Sequence, residues 1–79
     1  MTIEEKIFEI VARKMKCDVT SIDTEDSLKG DLGADSIDTV EIIFDIEEEY
    51  NIAVPDELAE MINTISDAVR VITKLVDAN

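Results

Sequence analysis

Ile3, Ile7, Ile10, Val11 and Met15 recur at the three- and four-residue spacing of one helix face. Thr2 and Glu5 form a T-x-x-E capping box before them. Arg13, Lys14 and Lys16 fall where cations favour the negative end of a helix dipole. The pattern predicts a first helix over residues 3–16. No sustained period runs through residues 17–35, where Val19, Ile22, Leu28 and Leu32 are dispersed apolar anchors and a short helical turn is expected near Thr24. Loops this long are uncommon in compact domains and are often functional. Periodicity returns after Asp35, a good N-cap with Asp38 at the third helical position, and apolar residues at 37, 40, 43, 44 and 46 give a wide face ending near Tyr50 and Asn51. Pro55 suits the first position of a third, short helix, Asp56–Ile62, with Asp56 and Glu57 in its first turn. Thr64 and Asp67 cap a fourth, with a core stripe of Ile65, Ala68, Val69, Ile72, Leu75 and Val76. The fold class expected is all-α: a four-helix bundle, three helices longer and one short, with a long loop between the first two.

Length sharpens this picture, since 79 residues suffice for one domain, residues 1–79. Hydrophobic residues form 46% of the chain, too many for a disordered tail. Charge changes the picture more. Twenty acids against seven bases leave a net charge of -13, which repels nucleic acid and anionic lipid surfaces. The same field attracts a partner with a basic patch and argues for a monomer. No apolar run is long enough to insert in a membrane, no secretory signal is visible, and the default compartment is cytoplasmic. Cys17 has no partner for a disulfide and reads as a partly buried thiol. Histidine is absent, which removes His-based triads and His-ligated zinc, so any chemistry at a serine must be activated from outside the chain.

The most informative segment is Asp31-Leu32-Gly33-Ala34-Asp35-Ser36-Ile37-Asp38. Gly33 allows a tight approach into the helix, Asp35 caps it, and Ser36 falls at its first position after the loop. A phosphate ester on Ser36 would lie near backbone N–H groups and the positive end of the dipole. Asp35 and Asp38 oppose a second negative charge there, which disfavours free phosphate more than a covalent phosphodiester held off the surface. An ordinary helix start carries the same residue types, so physics alone leaves both readings open.

Leu32-Gly33-Ala34-Asp35-Ser36, followed by Asp38-Thr39-Val40-Glu41, closely resembles the attachment motif of bacterial-type acyl carrier proteins. The similarity continues through Glu47-Glu48-Glu49-Tyr50 and Val54-Pro55-Asp56-Glu57, and the layout covers the whole chain. The resemblance implies a carrier rather than an enzyme. Its serine, matching Ser36, would receive 4'-phosphopantetheine from coenzyme A through a phosphopantetheinyl transferase. The pathway implied is fatty acid biosynthesis, with a polyketide or other specialised pathway as the alternative. The family pattern most often has Leu after the serine, where this chain has Ile37; the two are of similar volume, and no loss of attachment is expected. Asp45 stands where relatives often have a small residue, adding an acid to the face.

Asp38, Glu41, Asp45 and Glu48 recur at i, i+3, i+7 and i+10, on one helix side. Like charges at such spacings destabilise a helix, so a docking surface for Arg and Lys of partner enzymes explains them better than solvation alone. Glu47 borders the stripe, Asp35 precedes it, and Asp56, Glu57 and Glu60 add acids from the short helix. The family uses corresponding acids in this way. Ile37, Val40 and Phe44 are candidates for apolar contacts at the same surface, with burial in the bundle an equal reading for Val40. The family shelters its acyl chain between the second and third helices, so Ile43, Ile46, Val54, Leu58, Ala59 and Ile62 are expected wall residues, although each also suits plain core packing.

A competing class is an acidic interaction or calcium-binding module. An EF-hand loop needs Gly at position 6 and Glu at position 12. Counting from Asp23 puts Gly30 at position 8, and counting from Asp31 puts Ile42 at position 12, so neither register fits and no metal ligand set is assigned.

Overall fold

Thr2 and Glu5 begin the first helix as the sequence suggests. In the computed structural model, which describes residues 2–78, the Thr2 Oγ1 accepts from the Glu5 amide at 3.1 Å and the Glu5 carboxylate accepts from the Thr2 amide at 2.9 Å. Helix α1 spans Ile3–Met15 and stops because Lys16 turns left-handed (φ 56), with the Cys17 amide donating back to the Ala12 carbonyl at 3.0 Å. Its end thus falls one residue before the sequence expectation. Helix α2, Ser36–Tyr50, opens on the reciprocal Asp35/Asp38 cap and ends at Asn51 in the same left-handed conformation (φ 53), which Asn tolerates better than most residues.

Helix α3 is only Asp56–Ala59, shorter than the Asp56–Ile62 expected. Beyond it the Met61 amide donates to Leu58 and the Ile62 amide to Ala59, three residues back, so the chain tightens out of the α-helix. Pro55 stands just outside as the capping residue rather than inside the first turn. Helix α4, Ile65–Ala78, starts where the Thr64 Oγ1 accepts from the Asp67 amide and the Asp67 carboxylate accepts from the Thr64 and Asn63 amides, each at 3.1 Å.

Burial follows the period. Ile7, Ile10 and Val11 of α1 meet Ile42 and Ile46 of α2 and Ile65 and Ile72 of α4, none more than 2% exposed. Helix α1 packs against both α2 and α4, and α3 forms no comparable pair. In α4 Ile65, Ala68 and Ile72 of the expected stripe are buried and Val71, outside it, is buried with them, while Val69, Leu75 and Val76 are only partly so. Two lysines tie α1 to α2 at the surface: Lys6 reaches Glu49, and Lys14 reaches both Glu41 and Asp45, each at 3.7 Å.

The long loop is ordered by tertiary bonds rather than by a period of its own. A 3-10 turn occupies Val19–Ser21, and Thr24–Glu25 form a simple turn where a helical one was expected. Ile22, Leu28 and Ala34 anchor it in the core, whereas Val19 is 45% exposed and stays outside that core. The Leu28 amide donates to the Asn63 carbonyl at 2.9 Å and the Ser66 amide to Thr24 at 2.9 Å, and Ser27 bridges to Thr64. The loop is thereby stitched to the α3–α4 connection. Among the described residues no helix is long and apolar enough to cross a membrane.

Candidate functional site

The segment leading into α2 is held on both sides of Ser36. Upstream, Ala34 is buried (4% exposed) and its amide donates to the Leu28 carbonyl at 2.8 Å. Downstream, the Asp35 carboxylate accepts from the Asp38 amide at 2.8 Å, and the Asp38 carboxylate accepts from the Asp35 amide at 3.3 Å. Gly33 makes the bend between loop and cap at φ 76, a conformation L side chains rarely adopt. A Cβ built there would meet nothing within 4 Å, so the tight approach into the helix rests on the backbone angle and not on a lack of space for a side chain. With Ala34 facing inward and Asp35 occupied as a cap, Ser36 is left exposed on the first turn.

Ser36 stands on the rim of a groove of about 470 Å³ between α2, α3 and the loop. Val40, Ile43, Ala59, Ile62 and Leu28 give it apolar walls, and Ser27, Thr39 and Asn63 give it polar edges. Of the expected wall residues, Ile43, Ala59 and Ile62 line it. Ile46 (1% exposed) and Val54 (8%) belong instead to the buried core, and Leu58 packs against that core. Leu28, Thr39, Val40 and Asn63 were not foreseen as lining residues. Leu28 and Asn63 arrive through the loop stitching, which leaves no periodic trace in the sequence. The site therefore sets an exposed hydroxyl at the rim of a groove with apolar walls and polar edges.

The acids divide by what they touch. Glu41 and Glu48 are exposed, and Asp38 and Asp45 are half-buried. Glu41 and Asp45 share Lys14. Glu47 turns inward: its Oε2 accepts from the Val54 amide at 2.6 Å and so pins the segment that leads into α3. Asp56, Glu57 and Glu60 are exposed on and just after α3, and Asp56 and Glu60 reach the groove. Between the two acidic borders lies an apolar strip, with Ile37 70%, Val40 50% and Phe44 59% exposed, and Met61 61% exposed nearby in sequence to the α3 acids. Val40 is therefore a surface residue, not one absorbed in the bundle. Cys17 is exposed rather than partly buried, because it follows the left-handed turn that carries the chain off α1.

A helical frame that presents an exposed serine beside a groove defines the class of arrangement, and comparison with known proteins gives its family. Residues 5–72 match the family model described as "Phosphopantetheine attachment site". The acyl carrier protein of Chlorobium phaeobacteroides is 43% identical over 72 residues, covering 91% of this chain and 92% of that protein. That of Porphyromonas gingivalis is 39% identical over the same shares. Among solved structures, the acyl carrier protein of Thermotoga maritima superposes with a TM-score of 0.80 at 30% identity, over 94% of this chain and 86% of that one. The apo doublet acyl carrier protein from prodigiosin biosynthesis gives 0.79 at 28% identity, over 91% of this chain and 35% of that one. The chain belongs to the acyl carrier protein family, whose cofactor is phosphopantetheine.

Proposed function

We propose that residues 1–79 act as one cytoplasmic carrier domain of fatty acid biosynthesis, holding acyl intermediates on 4'-phosphopantetheine attached at Ser36. The observation that carries this reading is the exposure of Ser36 at the rim of the groove, on a turn fixed by Ala34 and Asp35. The chain itself is not an enzyme in this reading: it has no histidine to activate Ser36. A phosphopantetheinyl transferase must therefore supply the base. The Ser36 Oγ forms a bond to the β-phosphorus of coenzyme A, the pyrophosphate bond breaks, 3',5'-ADP leaves, and the serine proton passes to the transferase. Once attached, the arm's thiol holds the acyl group as a thioester.

Each part of this chain then has a task. Asp35 and Asp38 keep the first turn of α2 formed while Ser36 is presented. Ile43, Ala59 and Ile62 shield an acyl chain from water. Glu41, Glu48, Asp56, Glu57 and Glu60 steer the basic docking patches of pathway enzymes, and Ile37 and Phe44 supply apolar contact once they have met. The net charge of -13 keeps the carrier monomeric. The structural likeness to the prodigiosin doublet favours, as a second reading, a carrier for a polyketide or other specialised pathway.

The test is intact mass after incubation with coenzyme A, magnesium and a phosphopantetheinyl transferase, beside Ser36→Ala. A gain of one phosphopantetheinyl group, absent in the variant, is expected; no gain with a transferase active on another carrier would overturn the assignment. Turnover of the loaded chain by fatty-acid rather than specialised-pathway enzymes then separates the two pathways.

A further inference from the structure

The groove beside Ser36 contains one charge that the carrier reading does not use. Lys29 lines it with Ser36 and is the sole cation among the lining residues; the other charged groups there are Asp56 and Glu60. Of the cations outside the groove, Lys6 pairs with Glu9 and Glu49, Lys14 with Glu41 and Asp45, and Arg70 with Asp67, while Arg13, Lys16 and Lys74 form no ion pair among the described residues but lie outside the groove. Among the described residues Lys29 forms no ion pair, although two carboxylates share its groove. Its backbone is nevertheless fixed. On one side the Leu28 amide donates to Asn63 at 2.9 Å, and on the other the Gly30 amide donates to the Ser27 Oγ at 3.1 Å.

We propose that Lys29 is the anion-binding residue for the phosphodiester on Ser36, drawing the root of the arm toward the groove instead of leaving it in solvent. The proposal rests on Ser36 being the attachment residue. A phosphodiester adds a negative charge to a chain that already carries -13, beside the cap carboxylates of Asp35 and Asp38. Without a local cation the field of this surface pushes that charge outward, and the arm with it. Lys29 supplies the opposing attraction from the groove side. An ammonium on a flexible four-carbon stem can meet a phosphate oxygen without a fixed approach angle, and its methylenes can lie along the apolar wall. The contact is exposed, so it favours the groove-directed arm by about two- to fivefold and weakens with salt. A partner's basic patch offers the same phosphate other cations, so Lys29 sets a resting direction without locking it.

The experiment uses the full chain after conversion by the transferase, with intact mass read first. A chain not modified at Ser36 fails the attachment reading; a fully modified chain with an indifferent Lys29 fails only this proposal. The readouts are the Lys29 Cε/Hε resonances, the 31P resonance, and nuclear Overhauser contacts from the arm's methyl and methylene protons to Ile43 and Ala59. Attachment is expected to shift the Lys29 resonances, and added salt to reverse the shift. Lys29→Gln and Lys29→Glu are expected to move the 31P line and weaken the contacts by about two- to fivefold. Lys74→Gln, which changes net charge as Lys29→Gln does but at an exposed α4 position outside the groove, is the control and leaves both readouts in place. Lys29 resonances that ignore attachment, or a Lys74→Gln effect as large as that of Lys29→Gln, would overturn the proposal. The Lys29 resonances are read in the unsubstituted chain, so this arm holds even if a variant folds poorly.

Discussion

Replacing Glu47 isolates the bond that joins the end of α2 to the approach of α3. Its Oε2 accepts from the Val54 amide at 2.6 Å, and Val54 is 8% exposed, so truncation strands an amide that water reaches poorly. Hydrogen bonds to a charged acceptor contribute about 1.5–3 kcal/mol to stability. Glu47 is half-exposed and one of twenty acids, so relief of repulsion offsets part of that loss. The net cost of Glu47→Ala is then about 1 kcal/mol, which in a domain of this size lowers Tm by about 4–8 °C. Glu47→Gln keeps an acceptor oxygen while removing the charge, and should lose about half as much. Thermal melts give the global effect. Amide hydrogen exchange at Val54 gives the local one, with faster exchange in the Ala variant than in the Gln variant. If Glu47→Ala left both Tm and Val54 exchange unchanged, the bond would have no structural weight, and Glu47 would return to the docking surface with the other acids.

Gly33→Ala should lower stability by about 1–2 kcal/mol, because φ 76 strains any L side chain although the space is open; a denaturant melt checks this, and transferase acceptance should fall with it. Ile65→Ala, at a site 0% exposed, should cost about 2–5 kcal/mol and leave little folded protein, read by circular dichroism. The Asp67 carboxyl is held below its ordinary value of 3.8, first by the Thr64 amide, then by the Asn63 amide, with Arg70 adding to the effect. A depressed carboxyl stabilises the fold above the unfolded value and loses that contribution as pH falls through the folded one. The Tm gap between the parent and Asp67→Asn should therefore be widest toward neutrality and close below about pH 4.

The three capped helix starts were legible because each cap is local: Thr2/Glu5, Asp35/Asp38 and Thr64/Asp67 need only three residues of chain to close. The presentation of Ser36 was legible for the same reason, as a residue just inside one of these caps. The groove was less so. Its lining depends on Leu28 bonding across to Asn63 and on α3 ending early, and these are tertiary facts that periodicity does not encode. Position and chemistry alone put Leu58 on the wall and left Asn63 off it. The inward turn of Glu47 and the reach of Lys14 to Glu41 and Asp45 were equally hidden, since each depends on how neighbouring segments lie, not on charge alone.

Helix α3 has four residues, a single turn with no side-chain cap. A turn so short has not recovered the entropy of its own nucleation and exists only while its neighbours hold it. If the groove shelters the acyl chain as proposed, its capacity is elastic: a longer cargo would displace this one turn while the isoleucine contacts among α1, α2 and α4 stay in register. The work of loading would then fall on the wall that has least to lose, and chains of increasing length would not require the core to be remade.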